Sequence, residues 1–135
     1  MYINSTQNTT VNGDNDIVEN GGGNYPFVIR YERPLIRTAV YDGVNFPQSN
    51  FAFTRDTWIH LTLVVNYATN IAYSYLNGVL ATSSGITATP YQNTYDLNII
   101  QTAYPIDGRV ANARVYNRAL TADEVQQNYQ ATKDK

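Results

Sequence analysis

Cysteine is absent from this chain, which removes disulfide staples, thiolate nucleophiles and cysteine-ligated zinc together. Lysine is nearly absent, with Lys133 and Lys135 against seven arginines, and the single histidine is His60. Charge is scarce. Only 15% of residues are charged and the formal net charge is −2, so the chain offers no electrostatic handle for nucleic acid or an anionic membrane. Apolar runs stay as short as Leu63-Val64-Val65, far below the ~20 residues that span a bilayer. The opening Met1-Tyr2-Ile3-Asn4-Ser5 shows no basic region followed by an apolar run, so no Sec-type signal is visible. Paired carboxylates are lacking as well. The glutamates are Glu19, Glu32 and Glu124, and no strand pattern carries two carboxylates at i, i+2, as a glycosidase strand would. The expectation is a non-enzyme with neither a nucleic-acid partner nor a membrane span.

What the chain does have is tyrosine, with 12 copies, alongside frequent threonine, asparagine and valine. That is the composition of a sheet protein with a polar, weakly charged surface. At 135 residues it is long enough for one domain with a single core. Residues 1–24 read as a polar arm with at most one edge strand, around Ile17-Val18. The sequons Asn4-Ser5-Thr6 and Asn8-Thr9-Thr10 fall in this arm. Residues 25–135 read as the folded domain. From Tyr25 the pattern has period two, with Phe27, Ile29 and Tyr31 on one face and Arg30 and Glu32 on the other. Strands are predicted at 35–41, at 51–53 and, most strongly, from Trp58 to Tyr67.

The last third is the most informative. Residues 71–82 form a predicted hairpin about Asn77-Gly78, which suits a type I′ turn because both central residues need positive φ. A polar loop is predicted over 82–93, then strands at 96–101 and 109–116. A closing helix starts at the N-cap Thr121, with Glu124 completing a capping box and Val125 and Tyr129 forming an apolar stripe. Many short strands at regular spacing indicate a sandwich or jelly roll.

Two segments carry a more specific likeness. The first is Trp58-Ile59-His60-Leu61-Thr62-Leu63-Val64-Val65-Asn66, followed by Tyr75-Leu76-Asn77-Gly78-Val79-Leu80. The second is Gly108-Arg109-Val110, then Arg114-Val115-Tyr116-Asn117-Arg118-Ala119-Leu120-Thr121 and Glu124. Together they resemble the core, closing strand and helix of the laminin-G-like, concanavalin A-like family. The resemblance implies an all-β, two-sheet concanavalin A-like jelly-roll sandwich with a short C-terminal helix. It also implies structural roles for Trp58, Asn77, Gly78, Gly108, Tyr116, Thr121 and Glu124. Members with this ending are common in bacterial surface proteins and bacteriophage virions, which implies a virion or cell-surface location. Such members usually start with an extra strand or two holding a tryptophan. Here the only tryptophan is Trp58, so either the arm substitutes or a neighbouring subunit completes the sheet. Where the family often places acidic residues after the closing glycine, this chain has Ala111 and Asn112.

Candidate sites are few. Trp58 is expected in the core and His60 as a satisfied structural residue. The loop tyrosines Tyr91, Tyr95 and Tyr104 are candidates for stacking on a sugar or anchoring a protein partner. Asp14, Asp16 and Asp107 are candidate calcium ligands, with Asx-turn residues as the competing reading. The functional expectation is a structural or decoration component of a larger assembly, meeting other protein subunits. The alternative is a carbohydrate-binding adhesion module, and a glycan-cleaving enzyme ranks last.

Overall fold

The computed structural model describes residues 2–5, 15–20, 26–32, 35–54, 56–87, 91, 94–99 and 108–134. The strands are β1 (Tyr2–Ser5), β2 (Asn15–Asn20), β3 (Val28–Glu32), β4 (Leu35–Ala39), β5 (Gln48–Ala52), β6 (Trp58–Asn66), β7 (Ile71–Leu76), β8 (Val79–Gly85), β9 (Leu97–Ile99) and β10 (Gly108–Asn112). One helix, α1 (Ala122–Gln130), closes the chain. They build two five-stranded antiparallel sheets, ordered β10-β1-β6-β7-β8 and β5-β4-β3-β2-β9. The architecture is the expected two-sheet jelly-roll sandwich with a C-terminal helix.

Alternation along β6 divides its labour. Ile59 and Leu61 turn inward to a core shared with Ile17, Ile29, Tyr31 and Ile36 of the facing sheet. His60, Thr62 and Val64 turn outward, where α1 lies. Val64 and Tyr75 pack there against Leu120 and the fully buried Val125. The register agrees, because Thr62 faces Tyr75 and Val64 faces Tyr73 across the β6–β7 ladder. Tyr73 and Tyr75 therefore serve the helix rather than the space between sheets. Within that space the hydroxyls of Thr38 and Ser74 meet at 2.6 Å, linking the two sheets through a buried polar contact.

The N-terminal residues correct the sequence reading. They supply two strands, not at most one, and neither sits at an edge. β1 lies between β10 and β6, and β2 between β3 and β9. Long-range pairing decides this: Ile3 opposes Ile59 and Val18 opposes Ile29. Of the two alternatives for the missing strand, these residues take the first and complete their own chain's sheets. Other corrections are local. β8 runs on to Gly85, where a loop was predicted from Thr82, and the last strand ends at Asn112 rather than Tyr116. Trp58, expected in the core, is 38% exposed. It lies on the outer face two residues beyond His60, past the reach of a helix whose nine residues span only about 14 Å.

Candidate binding site

The Asn77-Gly78 turn organises one end of the sandwich. Both residues have positive φ, 52° and 79°, as a type I′ turn requires. The Asn77 backbone N–H donates to His60 O at 2.8 Å, and its side-chain Oδ1 accepts from the His60 N–H at 2.9 Å. Asparagine thus extends the β6–β7 ladder by one residue with its side chain. A Cβ at Gly78 would lie 2.2 Å from Gln126 Oε1 of α1, so the Gln126 side chain would have to swing aside to admit one.

Beside this turn opens a groove of about 480 Å³, lined by Phe53, Thr54, Thr57, Trp58, Leu76 and Asn77 among others. The ends of β5 and β7 and the start of β6 form its walls. Its chemistry is an exposed indole, a phenyl ring, threonine hydroxyls and a carboxamide. The Thr57 hydroxyl donates to Thr54 O at 2.7 Å, which fixes the loop entering β6. A second aromatic cluster sits at the other end, where Tyr41 contacts Tyr91 edge-on at 4.7 Å and Phe46 at 6.2 Å. The buried Asp42 clamps that cluster. Its Oδ1 accepts from the Val44 and Asn45 N–H groups, and its Oδ2 from the Thr87 N–H and hydroxyl. The N–H donors of Asn45 and Thr87, with the Thr87 hydroxyl, hold this carboxyl far below its usual range against the opposing effect of burial. Gly43, at φ 92°, fills the first central position of a two-residue II′-like turn, a place that selects glycine.

The sequence candidates scatter over this framework. Tyr91 is half-buried against Tyr41, and Tyr95 is exposed, with a partner of its own. Asp16, a candidate calcium ligand, is buried and ion-paired with Arg30. Glu19, likewise buried on β2, accepts from Asn98 Nδ2 at 3.0 Å. Tyr104, Asp14 and Asp107 lie outside the described residues. Among the described residues no cluster of metal-ligating side chains occurs. Gly108 begins β10, and Tyr116, half exposed, donates its hydroxyl to Asn128 Oδ1 at 3.3 Å. The capping box forms as expected: Glu124 N–H donates to Thr121 Oγ1, and Thr121 N–H to Glu124 Oε2. Arg118 adds a two-pronged ion pair to Glu124, and together these hold the Glu124 carboxyl down at about 2.

Sequence reasoning missed two further features. His60 is buried, but its Nδ1 has no hydrogen-bond partner. It lines a small cavity of about 20 Å³ with Thr62, Asn112, Arg114, Tyr116, Asn128 and Thr132, beneath α1. Burial, with Arg114 adding, lowers its pKa to about 4. An apolar cleft of about 600 Å³ also runs along β6, between Phe27, Ile29, Leu97 and Ile99 of one sheet and the coil 113–120. No helix among the described residues is long and apolar enough to cross a membrane.

Solved structures share this fold at low identity. The receptor binding domain of botulinum neurotoxin D superposes with a TM-score of 0.71 at 14% identity, covering 96% of this chain and 35% of that one. A putative carbohydrate binding protein from Bacteroides ovatus gives 0.69 at 15%, covering 93% and 44%. The binding domain of Paraclostridial Mosquitocidal Protein 1 gives 0.69 at 16%, covering 96% and 35%. The chain thus spans between a third and a half of the length of these structures. No curated protein matches it. The family model described as the concanavalin A-like lectin/glucanases superfamily matches residues 1–126, nearly the whole chain, and this protein belongs to that family.

Proposed function

We propose that this chain is a non-catalytic recognition module that holds a glycan in the groove beside Trp58. The observation that carries the reading is an exposed indole in a concave groove with hydroxyl and carboxamide groups around it. An apolar sugar face packs on aromatic rings, and the polar neighbours answer its hydroxyls. The groove's 480 Å³ lies within the range of small-ligand sites. The Tyr41 cluster is the weaker candidate, because its rings spend their surfaces on one another. Structural neighbours described as receptor-binding and carbohydrate-binding domains support a recognition role. The buried carboxylates Asp16, Glu19 and Asp42 are held by donors inside the fold, which supports the non-catalytic part. A surface or virion location suits such a module, and a structural or decoration role in a larger assembly is its second reading.

A glycan array followed by titration calorimetry tests the proposal. The expected result is saturable binding that Trp58→Ala abolishes and Tyr91→Ala leaves within about twofold. Binding that survives Trp58→Ala would overturn the groove assignment, and sugar release by the purified chain would overturn the non-catalytic reading.

A further inference from the structure

The Asn77 carboxamide uses only one of its two polar atoms inside the fold. Its Oδ1 accepts from the His60 N–H at 2.9 Å, and that bond fixes which way the amide sits, because an amide nitrogen cannot accept from an N–H. The two Nδ2 hydrogens are left over, and among the described residues no acceptor takes them. Asn77 is half-buried and lines the groove beside Trp58. The other polar groups of the groove are set as firmly. The Thr57 hydroxyl donates to Thr54 O and keeps its own oxygen as an acceptor, while the exposed Thr54 hydroxyl can give or take. The Phe53 ring stands edge-on to Tyr31 at 5.8 Å, which ties the apolar wall to the core. Among the described residues every side chain that lines the groove is uncharged. The exposed Asp56 lies in the loop between Thr54 and Thr57.

Resting on the glycan reading of this groove, we propose that its ligand is an uncharged pyranose bound without a metal ion. Asn77 is the polar residue that recognises it, donating Nδ2–H to an oxygen of the sugar packed on Trp58. Two arguments set the ligand class. A sugar acid would bring a carboxylate into a lining that, among the described residues, holds no cation to pair it, and beside Asp56 it would meet a like charge. Burying an unpaired charge costs far more than burying a hydroxyl. Recognition through calcium needs about six to eight oxygens with carboxylates among them, and the described lining supplies no carboxylate. Sugar hydroxyls both donate and accept, so a neutral pyranose answers the donor at Asn77 and the acceptor at Thr57 together. The carboxamide thus divides its work by atom: Oδ1 serves the fold and Nδ2 the ligand.

Asn77→Asp separates the two roles. A carboxylate oxygen still accepts from the His60 N–H, and Asp-Gly suits the same turn, so the hairpin is kept while both ligand-facing hydrogens go. The test titrates the isotope-labelled full chain with the methyl glycosides of glucose, galactose and mannose, and with the matching uronic acids. NMR reads the Trp58 indole and Asn77 carboxamide signals. The expected result is a saturable shift of both signals with at least one neutral glycoside, unchanged within about twofold by EDTA. Its uronic acid should bind at least tenfold more weakly. Asn77→Asp should weaken the neutral sugar at least tenfold while the Tm stays within a few degrees. Preference for the uronic acid, or binding that EDTA removes, would overturn the ligand class. Full affinity in a folded Asn77→Asp chain would overturn the role of Asn77. Either result leaves the groove assignment standing where Trp58→Ala still abolishes binding. No saturable shift at Trp58 with any of these sugars would instead sink the glycan reading, and this inference with it. The uronic acid and EDTA comparisons need no variant, so they decide the ligand class even if Asn77→Asp disturbs the turn.

Discussion

Two buried ionisable residues respond to acid in separate windows, which lets each be read by itself. His60 has a folded pKa of about 4 against an ordinary 6.5, so the unfolded chain takes up a proton before the folded one does. Stability is therefore undiminished above pH 6.5 and falls as pH drops toward 4. Replacing His60 with Gln should flatten that segment of a Tm–pH curve, and an unchanged slope would show that burial does not depress this residue. Asp42 acts lower. Its folded pKa lies well below the ordinary 3.8, so its clamp contributes fully above that value and is lost as pH falls further. Asp42→Asn turns an amide toward the Thr87 N–H, donor against donor, while leaving the turn sequence intact. Calorimetry should show a lower Tm at neutral pH and a reduced loss below pH 4.

At the scale of elements, features written in a few adjacent residues could be read directly. The Asn77-Gly78 turn and the Thr121–Glu124 box depend on local φ values and short-range bonds, and both stand where the sequence put them. Gly78→Ala combines a left-handed residue bearing a Cβ with a contact against Gln126. It should cost about 1–2 kcal/mol, measured by urea unfolding, and a change below a few tenths would mean that the helix yields freely. The strands β1 and β2 were not legible in the same way. Their apolar content is small, Ile3 in one and Ile17-Val18 in the other, among asparagine, aspartate and glycine. Partners more than fifty residues away in one case, and across a bulge in the other, make them strands. The groove beside Trp58 was hidden for a related reason. Period two places Trp58 on the same face as His60, but only the position of α1 decides which of them is covered.

For the molecule as a whole, the N-terminal residues decide whether there is a sandwich at all. β10 bonds to the rest of its sheet through β1, and β9 through β2. Removing residues 1–24 would open a gap in the interior of both sheets, detach an edge strand from each, and take Ile17 and Val18 out of the central core. A loosely attached arm would come off without such consequences. The two pictures separate cleanly in a thermal melt followed by circular dichroism. The truncated chain should lose its cooperative transition, because the burial of Ile17 and Val18 and four ladders of backbone bonds exceed what a marginally stable domain can lose. A truncated chain that melts cooperatively within a few degrees of the full one would show that neither strand holds the fold together. Adding residues 1–24 back as a peptide sharpens the test, since recovery of the transition would mean that both sheets accept an inserted strand in trans.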